Sequence, residues 1–249
     1  GCMNIRNAFG YHCNLASFYV TTIVLGIGAA TFSSCTTQRA ILLRNKSIKE
    51  WSFYQLEEVK KSTEGKGEQW TIYSRKIKGT NFFEYKIEGD IDASPETCLL
   101  AFKQDMLNQS DDLKNKKYPT YEIVSETPDS LLTYIIHHEP FPFKDTEMSL
   151  RYVFYNNVDG STGVAWHEAW NECQVPPSKK LSRVKSFRGA WQFTSTSDNS
   201  CLSSNSIEFD PNGMPQWLFK PMVMRMLKNG LASLREMSAK QAKQAIGSQ

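Results

Sequence analysis

Hydrophobic residues recur every three or four positions between residues 215 and 237, which is the spacing of a helix with one buried face. The repeat consists of Val223, Met224, Leu227, Leu231 and Leu234. The preceding run Asp210-Pro211-Asn212-Gly213 is a strong turn, because Pro fixes φ and both Asn and Gly tolerate positive φ. Pro215 suits a first helical turn, and Pro221 indicates either a kink or the start of the regular part. We therefore predict a long amphipathic helix over 215–237.

Most of the chain before that helix is rich in β-forming residues that alternate with polar ones, as in strands. Turns that contain Pro, Asp or Gly separate these segments. Consecutive strands with short turns pair antiparallel, because parallel pairs need long crossover connections. The predicted strands cover residues 69–77, 82–92, 120–127, 130–139, 148–157, 162–172, 184–196 and 201–210.

Two shorter helices are predicted from their capping signals. Ser94 is a suitable N-cap for a helix over 94–109, with Pro95 at its first position. Another helix begins at Ser47, which forms a capping box with Glu50, and ends near residues 65–67. The fold class is therefore α+β, in which a curved antiparallel sheet wraps around the C-terminal helix. A gap between the sheet and that helix is where a ligand would lie.

Composition adds little to this picture. The 249 residues are 40% hydrophobic, which is enough for one globular domain with a core. The net charge of +3 arises from interspersed positive and negative residues, without the basic block of a nucleic-acid arm. We therefore expect no nucleic-acid partner, and an acidic lipid surface remains compatible with the charge.

The first 34 residues have a different character. Arg6 is the only formally charged residue before Arg39, and an uncharged apolar run leads to Ser33, Ser34 and Cys35. This arrangement resembles the lipobox of bacterial lipoproteins, which implies acylation of Cys35 after signal cleavage. An uncleaved membrane anchor and a buried core helix are the alternatives. We expect a membrane-anchored lipoprotein of the cell envelope that faces the periplasm or exterior.

These patterns divide the chain into four parts. Residues 1–34 are a signal peptide or anchor, residues 35–67 a linker with a helix, residues 68–238 the ligand-binding domain, and residues 239–249 a polar tail.

From about residue 70 to 237 the chain resembles StAR-related lipid transfer (START) domains of the helix-grip superfamily. The family pattern joins Gly-Ser-Trp, a strand, an Asp-Pro-Gly-Gly turn, Pro and a final helix. The matching residues are Gly189, Trp191, Asp210, Pro211, Gly213, Pro215 and Trp217. This chain departs from the pattern at Ala190 and Asn212, has only Met214 between Gly213 and Pro215, and carries Lys144 where the family has Arg. The resemblance implies a hydrophobic tunnel that holds one lipid, such as a sterol, phospholipid or fatty-acid derivative.

Candidate lining residues follow from helical and strand periodicity within that implied tunnel. The helix offers Val223, Met224, Leu227 and Leu231. On the strands, Leu132, Tyr134 and Ile136 share one face, and Leu150, Tyr152 and Phe154 share one face of the next strand. Arg151 points outward by this alternation, whereas the family resemblance implies an inward arginine that meets a polar lipid group. His167 meets a head group only if its face of the strand is the inner one; if Val164, Trp166 and Trp170 face inward, His167 lies on the surface.

The sequence predicts neither catalysis, nor a metal, nor a cofactor. His167-Glu168 begins an HExxH motif, but Asn171 occupies the second His position. His137 and His138 point to opposite faces of one strand and cannot share a metal. Cys98, Cys173 and Cys201 are expected to be buried thiols, with one disulfide as the alternative.

Three classes of function remain. The favoured one is a non-enzymatic module that binds a lipid at a membrane surface outside the cytoplasm, with transfer of that lipid as an optional further role. The second is a helix-grip enzyme, of the cyclase or hydrolase type, that acts on a hydrophobic substrate. The third is a structural lipoprotein without a ligand. The lipid and the membrane are the expected partners, and the sequence identifies no protein partner.

Overall fold

Ten strands and two helices occur in the part of the chain that the computed structural model describes, which comprises residues 57–61, 69–77, 79–80, 82–112, 116–139, 143–210 and 215–247. The strands are β1 (Glu57–Lys61), β2 (Thr71–Lys76), β3 (Phe83–Ile91), β4 (Thr120–Thr127), β5 (Ser130–His137), β6 (Thr146–Asn156), β7 (Thr162–Glu168), β8 (Ser182–Arg183), β9 (Phe187–Ser197) and β10 (Ser200–Phe209). The helices are α1 (Pro95–Asp111) and α2 (Gln216–Gly247).

The strands form one curved open sheet in the order β1-β2-β3-β10-β9-β7-β6-β5-β4. Neighbours along this path are antiparallel, and the two-residue β8 lies off the path in parallel pairing with β6. The predicted antiparallel sheet is thus confirmed. Short turns between consecutive strands make it possible, as at Gly79, whose φ of 79° lies in the left-handed region that glycine tolerates.

Helix α1 begins where its capping signal predicts. The Ser94 side chain accepts a hydrogen bond from the backbone N–H of Thr97 at 3.3 Å, and Pro95 occupies the first turn. The helix contacts α2 as well as β4, β7 and β9. It therefore covers the same side of the sheet as α2.

Helix α2 contains the predicted apolar stripe and continues past residue 237 to Gly247. The apolar residues of its buried face are Phe219, Val223, Leu227, Leu231 and Leu234, all at most 4% exposed. Pro221 lies inside the helix, where its ring nitrogen has no hydrogen to donate to the Trp217 carbonyl four residues earlier. Within the described ranges, neither helix is long and apolar enough to cross a membrane.

The prediction of a helix before residue 65 is wrong for residues 57–61. These residues form β1, which pairs with β2 so that Glu57 lies opposite Ser74 and Lys61 opposite Thr71. Backbone pairing along the edge of a sheet has overridden the local helix signal, which is the usual effect of tertiary context on propensity. The predicted leader, Cys35 and the turn at 211–213 lie outside the described residues.

Candidate ligand-binding site

The register of the sheet defines which side faces the helices. Tyr152 of β6 lies opposite both Leu131 of β5 and Trp166 of β7, and Trp166 lies opposite Gly189 of β9. Residues paired in this way point to the same face. The buried members of this face form one hydrophobic cluster with the buried face of α2. We call it the helix-facing side, and the opposite face the outer side.

Six aromatic rings in successive contact cross the helix-facing side from α1 to α2. They belong to Phe102, Tyr152, Trp166, Phe187, Phe209 and Phe219, and we call them the aromatic row. Their consecutive ring centroids are 6.3, 5.9, 6.0, 5.3 and 5.5 Å apart. These separations are typical of favourable aromatic pairs. The row therefore provides a continuous apolar lining beneath the helices.

Two glycines allow large side chains to lie directly on the sheet. The Trp166 ring occupies the space that a side chain at Gly189 would take. At Gly89, an added Cβ would come within 2.8 Å of Cδ2 of Leu231. Gly189 thus lets the indole lie across β9, and Gly89 lets α2 approach β3.

Five of the predicted lining residues lie together in this region. Val223, Leu227 and Leu231 are buried on α2, and Met224 is half-buried at the margin of the same cluster. Tyr152 belongs to the aromatic row. The structure thus brings these side chains together, and their contact with a ligand stays a prediction.

Two polar atoms that the sheet contributes to this apolar lining have no hydrogen-bond partner within the described part of the chain. They are Nε1 of Trp166 and Oδ1 of Asn205, and both residues are only 7% exposed. Asn205 points to the helix-facing side because it lies opposite Trp191 and Ile87, which belong to its hydrophobic cluster. An unpartnered buried polar atom costs about 1–3 kcal/mol, so such atoms are uncommon in a closed core.

The charge at the site is low. Of the described residues that are buried, the carboxylates are Glu84 and Glu147, and both lie on the outer side beside Arg75 and Arg183 respectively. Burial raises the pKa of the Tyr152 phenol, so its hydroxyl stays protonated and neutral at physiological pH. The buried part of the helix-facing side therefore offers neutral polar groups rather than ions.

Four predicted lining residues point to the outer side instead. Tyr134, Ile136, Arg151 and His167 occupy alternate positions to the inward residues of their strands. Strand β5 is apolar on both faces, so alternation alone could not tell which face meets the helices. The inward residues of β5 include Leu131 and Ile135, in place of the predicted Leu132 and Tyr134.

Arg151 binds protein groups on the outer side, as its alternation predicted. Its Nε donates to Oε2 of Glu172 at 3.0 Å, and its NH1 group donates to Oγ of Ser130 at 3.4 Å. The inward arginine that the family resemblance implied does not occur at this position. His167 is opposite Arg151 in the register, and burial lowers the pKa of its imidazole.

The outer side has a small core of its own, which explains why apolar residues face that way. Leu132, Ala169 and Cys173 are buried there, with Tyr134 packed against them. Glu147 is fully buried and accepts hydrogen bonds from Nε of Arg183 at 2.9 Å and from the Tyr134 hydroxyl at 3.0 Å. The Arg183 guanidinium also stacks over Trp170. These contacts hold the segment between β7 and β9 against the sheet.

The three described cysteines are buried free thiols, which confirms the expectation for Cys98, Cys173 and Cys201. The Sγ atoms of Cys98 and Cys201 lie 3.6 Å apart, where α1 meets β10. Within the described ranges, no group of three or more His, Cys, Asp or Glu residues is arranged to hold a metal ion.

Neither Trp166 nor Asn205 was among the lining residues predicted from the sequence. A signal for Asn205 existed, because it is the one amide on the alternate positions Cys201, Ser203, Asn205, Ile207 and Phe209, of which the first four are buried. The Trp166 indole gave no such signal. Its burial, and the lack of a hydrogen-bond partner for its N–H, depend on the neighbouring strands β6 and β9.

The sequence matches no protein-family model and no curated protein. Solved structures do share its fold. A STAR-related lipid transfer protein from Xanthomonas axonopodis superposes with a TM-score of 0.57 at 16% identity, over 72% of this chain and 98% of that one. Human StAR-related lipid transfer protein 5 gives 0.61 at 13% identity, over 84% and 99% of the two chains. Human STARD10 gives 0.61 at 14% identity, over 80% and 79%.

At these identities the likeness establishes the fold and nothing finer. The chain has the START-like helix-grip fold, an α+β architecture in which a curved antiparallel sheet carries a C-terminal helix. This confirms the fold that the sequence resemblance implied.

Proposed function

We propose that this protein binds one mostly apolar lipid between the helix-facing side of the sheet and α2. The observation that carries the proposal is the aromatic row, which continues the buried aliphatic face of α2 into one apolar lining. An apolar lining with few polar groups is typical of small-molecule sites. The lipid transfer proteins that share the fold support the same class of ligand.

We further propose that the first turns of α2 meet the membrane from which the lipid comes. Trp217 is 77% exposed, and Met222 and Met226 are 40% and 47% exposed. Exposed Lys220 and Arg225 lie between them. Apolar side chains among basic ones suit an anionic lipid surface, where Trp favours the interface. We also propose that this membrane lies outside the cytoplasm and that acylated Cys35 is the tether, because the uncharged run that ends at Ser33, Ser34 and Cys35 resembles a lipoprotein signal.

The proposal contains no catalytic step. It includes lipid transfer only in the sense that a bound lipid can be released to a second membrane. A structural lipoprotein and a helix-grip enzyme remain the competing functions. Incubation with lipid followed by chromatography distinguishes the enzyme, because binding alone leaves the lipid chemically unchanged.

Native mass spectrometry of the purified protein tests the main proposal. We expect a co-purified lipid mass that disappears on denaturation, and uptake of a fluorescent lipid from phosphatidylcholine vesicles. Protein that carries no lipid and extracts none would contradict the proposal and favour the structural lipoprotein. For the tether, the parent protein should carry an acyl mass at Cys35 that Cys35→Ser lacks; identical masses and membrane fractionation would favour the uncleaved anchor.

A further inference from the structure

We infer that the ligand is an uncharged lipid whose polar group is a hydroxyl, and that Trp166 and Asn205 recognise this group. The inference rests on the proposed function and narrows it to one chemical class. Its basis is the pair of buried, unpartnered polar atoms that the sheet contributes to the apolar lining.

The two side chains lie close to one another on the sheet. The Trp166 ring covers Gly189, and Gly189 pairs with Ile207 of β10. Asn205 is the diagonal neighbour of Gly189 across this strand pair, and diagonal Cα atoms are about 7–8 Å apart. The indole and the amide therefore border the same part of the helix-facing side, so one small head group can lie between them.

The chemistry of the two groups selects a hydroxyl. The indole N–H only donates, whereas the Asn205 amide offers an acceptor oxygen as well as donors. A hydroxyl accepts from the indole and donates to the amide oxygen, whereas an ester or ketone carbonyl accepts only. A hydroxyl is therefore the smallest group that satisfies both atoms.

The distribution of charge disfavours an ionised head group. Arg75, Arg183 and Arg151 lie on the outer side, each paired with a glutamate. The cations that reach the helix-facing side also have partners, since Arg235 donates to the backbone oxygens of Asp90 and Gln69 and Lys103 pairs with Glu126. A carboxylate or phosphate inside the lining would lie without a counter-ion in apolar surroundings, which is strongly unfavourable. The proposed site therefore discriminates against fatty-acid anions and phospholipid head groups.

Three probes with the same tail test this inference: decylpyrene, pyrenyl-decanol and pyrenyl-decanoic acid. Each is offered to the full chain in phosphatidylcholine vesicles at about pH 8, and uptake is divided by the probe's own partition into the vesicles. We expect the alcohol to bind about fivefold to tenfold more tightly than the hydrocarbon, which is the worth of one net hydrogen bond or slightly more. The carboxylate should bind more weakly than the alcohol.

Two variants connect the preference to the residues. Asn205→Leu and Trp166→Phe should each lower the alcohol-to-hydrocarbon ratio towards one while decylpyrene still binds. The matched controls are Asn199→Leu, at an exposed hairpin position, and Trp170→Phe, on the outer side. Both should keep the alcohol-to-hydrocarbon ratio of the parent. Circular dichroism and thermal melting check that each variant folds. Because two positions are tested independently, the test still works if one of the two variants does not fold.

The outcomes separate the two proposals. If decylpyrene binds but the parent shows no preference for the alcohol, or if the carboxylate binds as tightly as the alcohol, the hydroxyl inference is wrong and lipid binding stands. The inference is equally wrong if both folded site variants keep the parent's ratio. If none of the three probes binds, the proposed function fails together with it.

Discussion

Leu231 of α2 rests directly on Gly89 of β3, where an added Cβ would lie 2.8 Å from Cδ2 of Leu231 and 2.9 Å from the backbone oxygen of Gln69. Real Cβ atoms do not approach neighbours this closely. The absence of a side chain at Gly89 therefore allows α2 to lie this close to β3.

Gly89→Ala should consequently destabilise the protein by about 1–3 kcal/mol, the usual cost of overpacking. Gly230→Ala on α2 is the control, because its Cβ would meet Trp191 only at 3.9 Å. That substitution should stabilise by about 0.5–1 kcal/mol through the gain in helix propensity. Urea denaturation measures both, and equal effects of the two substitutions would refute the close contact at Gly89.

The helices and strands could largely be predicted from the sequence, because caps, turns and apolar spacing are local signals. The cap at Ser94 and the stripe through Leu227 needed only their neighbours along the chain. Local spacing could not tell which face of β5 is the inner one. Leu131 and Leu132 are equally apolar, and the choice between them depends on the distant segment that covers the outer side. Strand β1 is a similar case, since its partner β2 decided its structure.

Glu147 and Arg183 form a largely buried ion pair, with side-chain exposures of 1% and 21%. Arg183→Met should destabilise the protein by about 3–5 kcal/mol, because the carboxylate would stay buried without its cation. The exposed pair Lys240–Glu236 is the control, and Lys240→Met should hardly shift the urea midpoint. Lipid uptake by folded Arg183→Met should match the parent, since the pair lies on the outer side. A loss of uptake without a loss of stability would contradict this assignment.

His167 should make the protein sensitive to acid. Burial lowers the pKa of its imidazole below the unfolded value of about 6.5, so the folded state favours the neutral ring. Its contribution to stability is present above the unfolded pKa and is lost as the pH falls through the folded pKa. The free energy of unfolding should therefore decrease as the pH falls below the unfolded value of about 6.5, and His167→Gln should reduce that decrease. Parallel pH profiles for parent and variant would show that another group is responsible.

Trp217 should contribute to membrane association if the first turns of α2 lie on the lipid surface. Trp217→Ala should lower binding to anionic vesicles in a sedimentation assay, and raised salt should weaken binding of the parent, because Lys220 and Arg225 act through screened charge. Leu100→Ala removes an apolar side chain that is 50% exposed on α1 and serves as the control. Equal losses in the two variants would indicate unspecific hydrophobic adhesion.

Leu227 provides the most direct test of where the lipid lies, because it is 1% exposed at the centre of the buried face of α2. Leu227→Trp should fill the space between α2 and the sheet and strongly reduce lipid uptake from vesicles. Overpacking itself costs about 1–3 kcal/mol, so the urea midpoint must be measured alongside. Ala232→Trp adds the same ring on an exposed position of the same helix and should leave uptake unchanged. A folded Leu227→Trp protein that takes up lipid at the level of the parent would place the ligand elsewhere, because the added indole would occupy the proposed position of the lipid against α2.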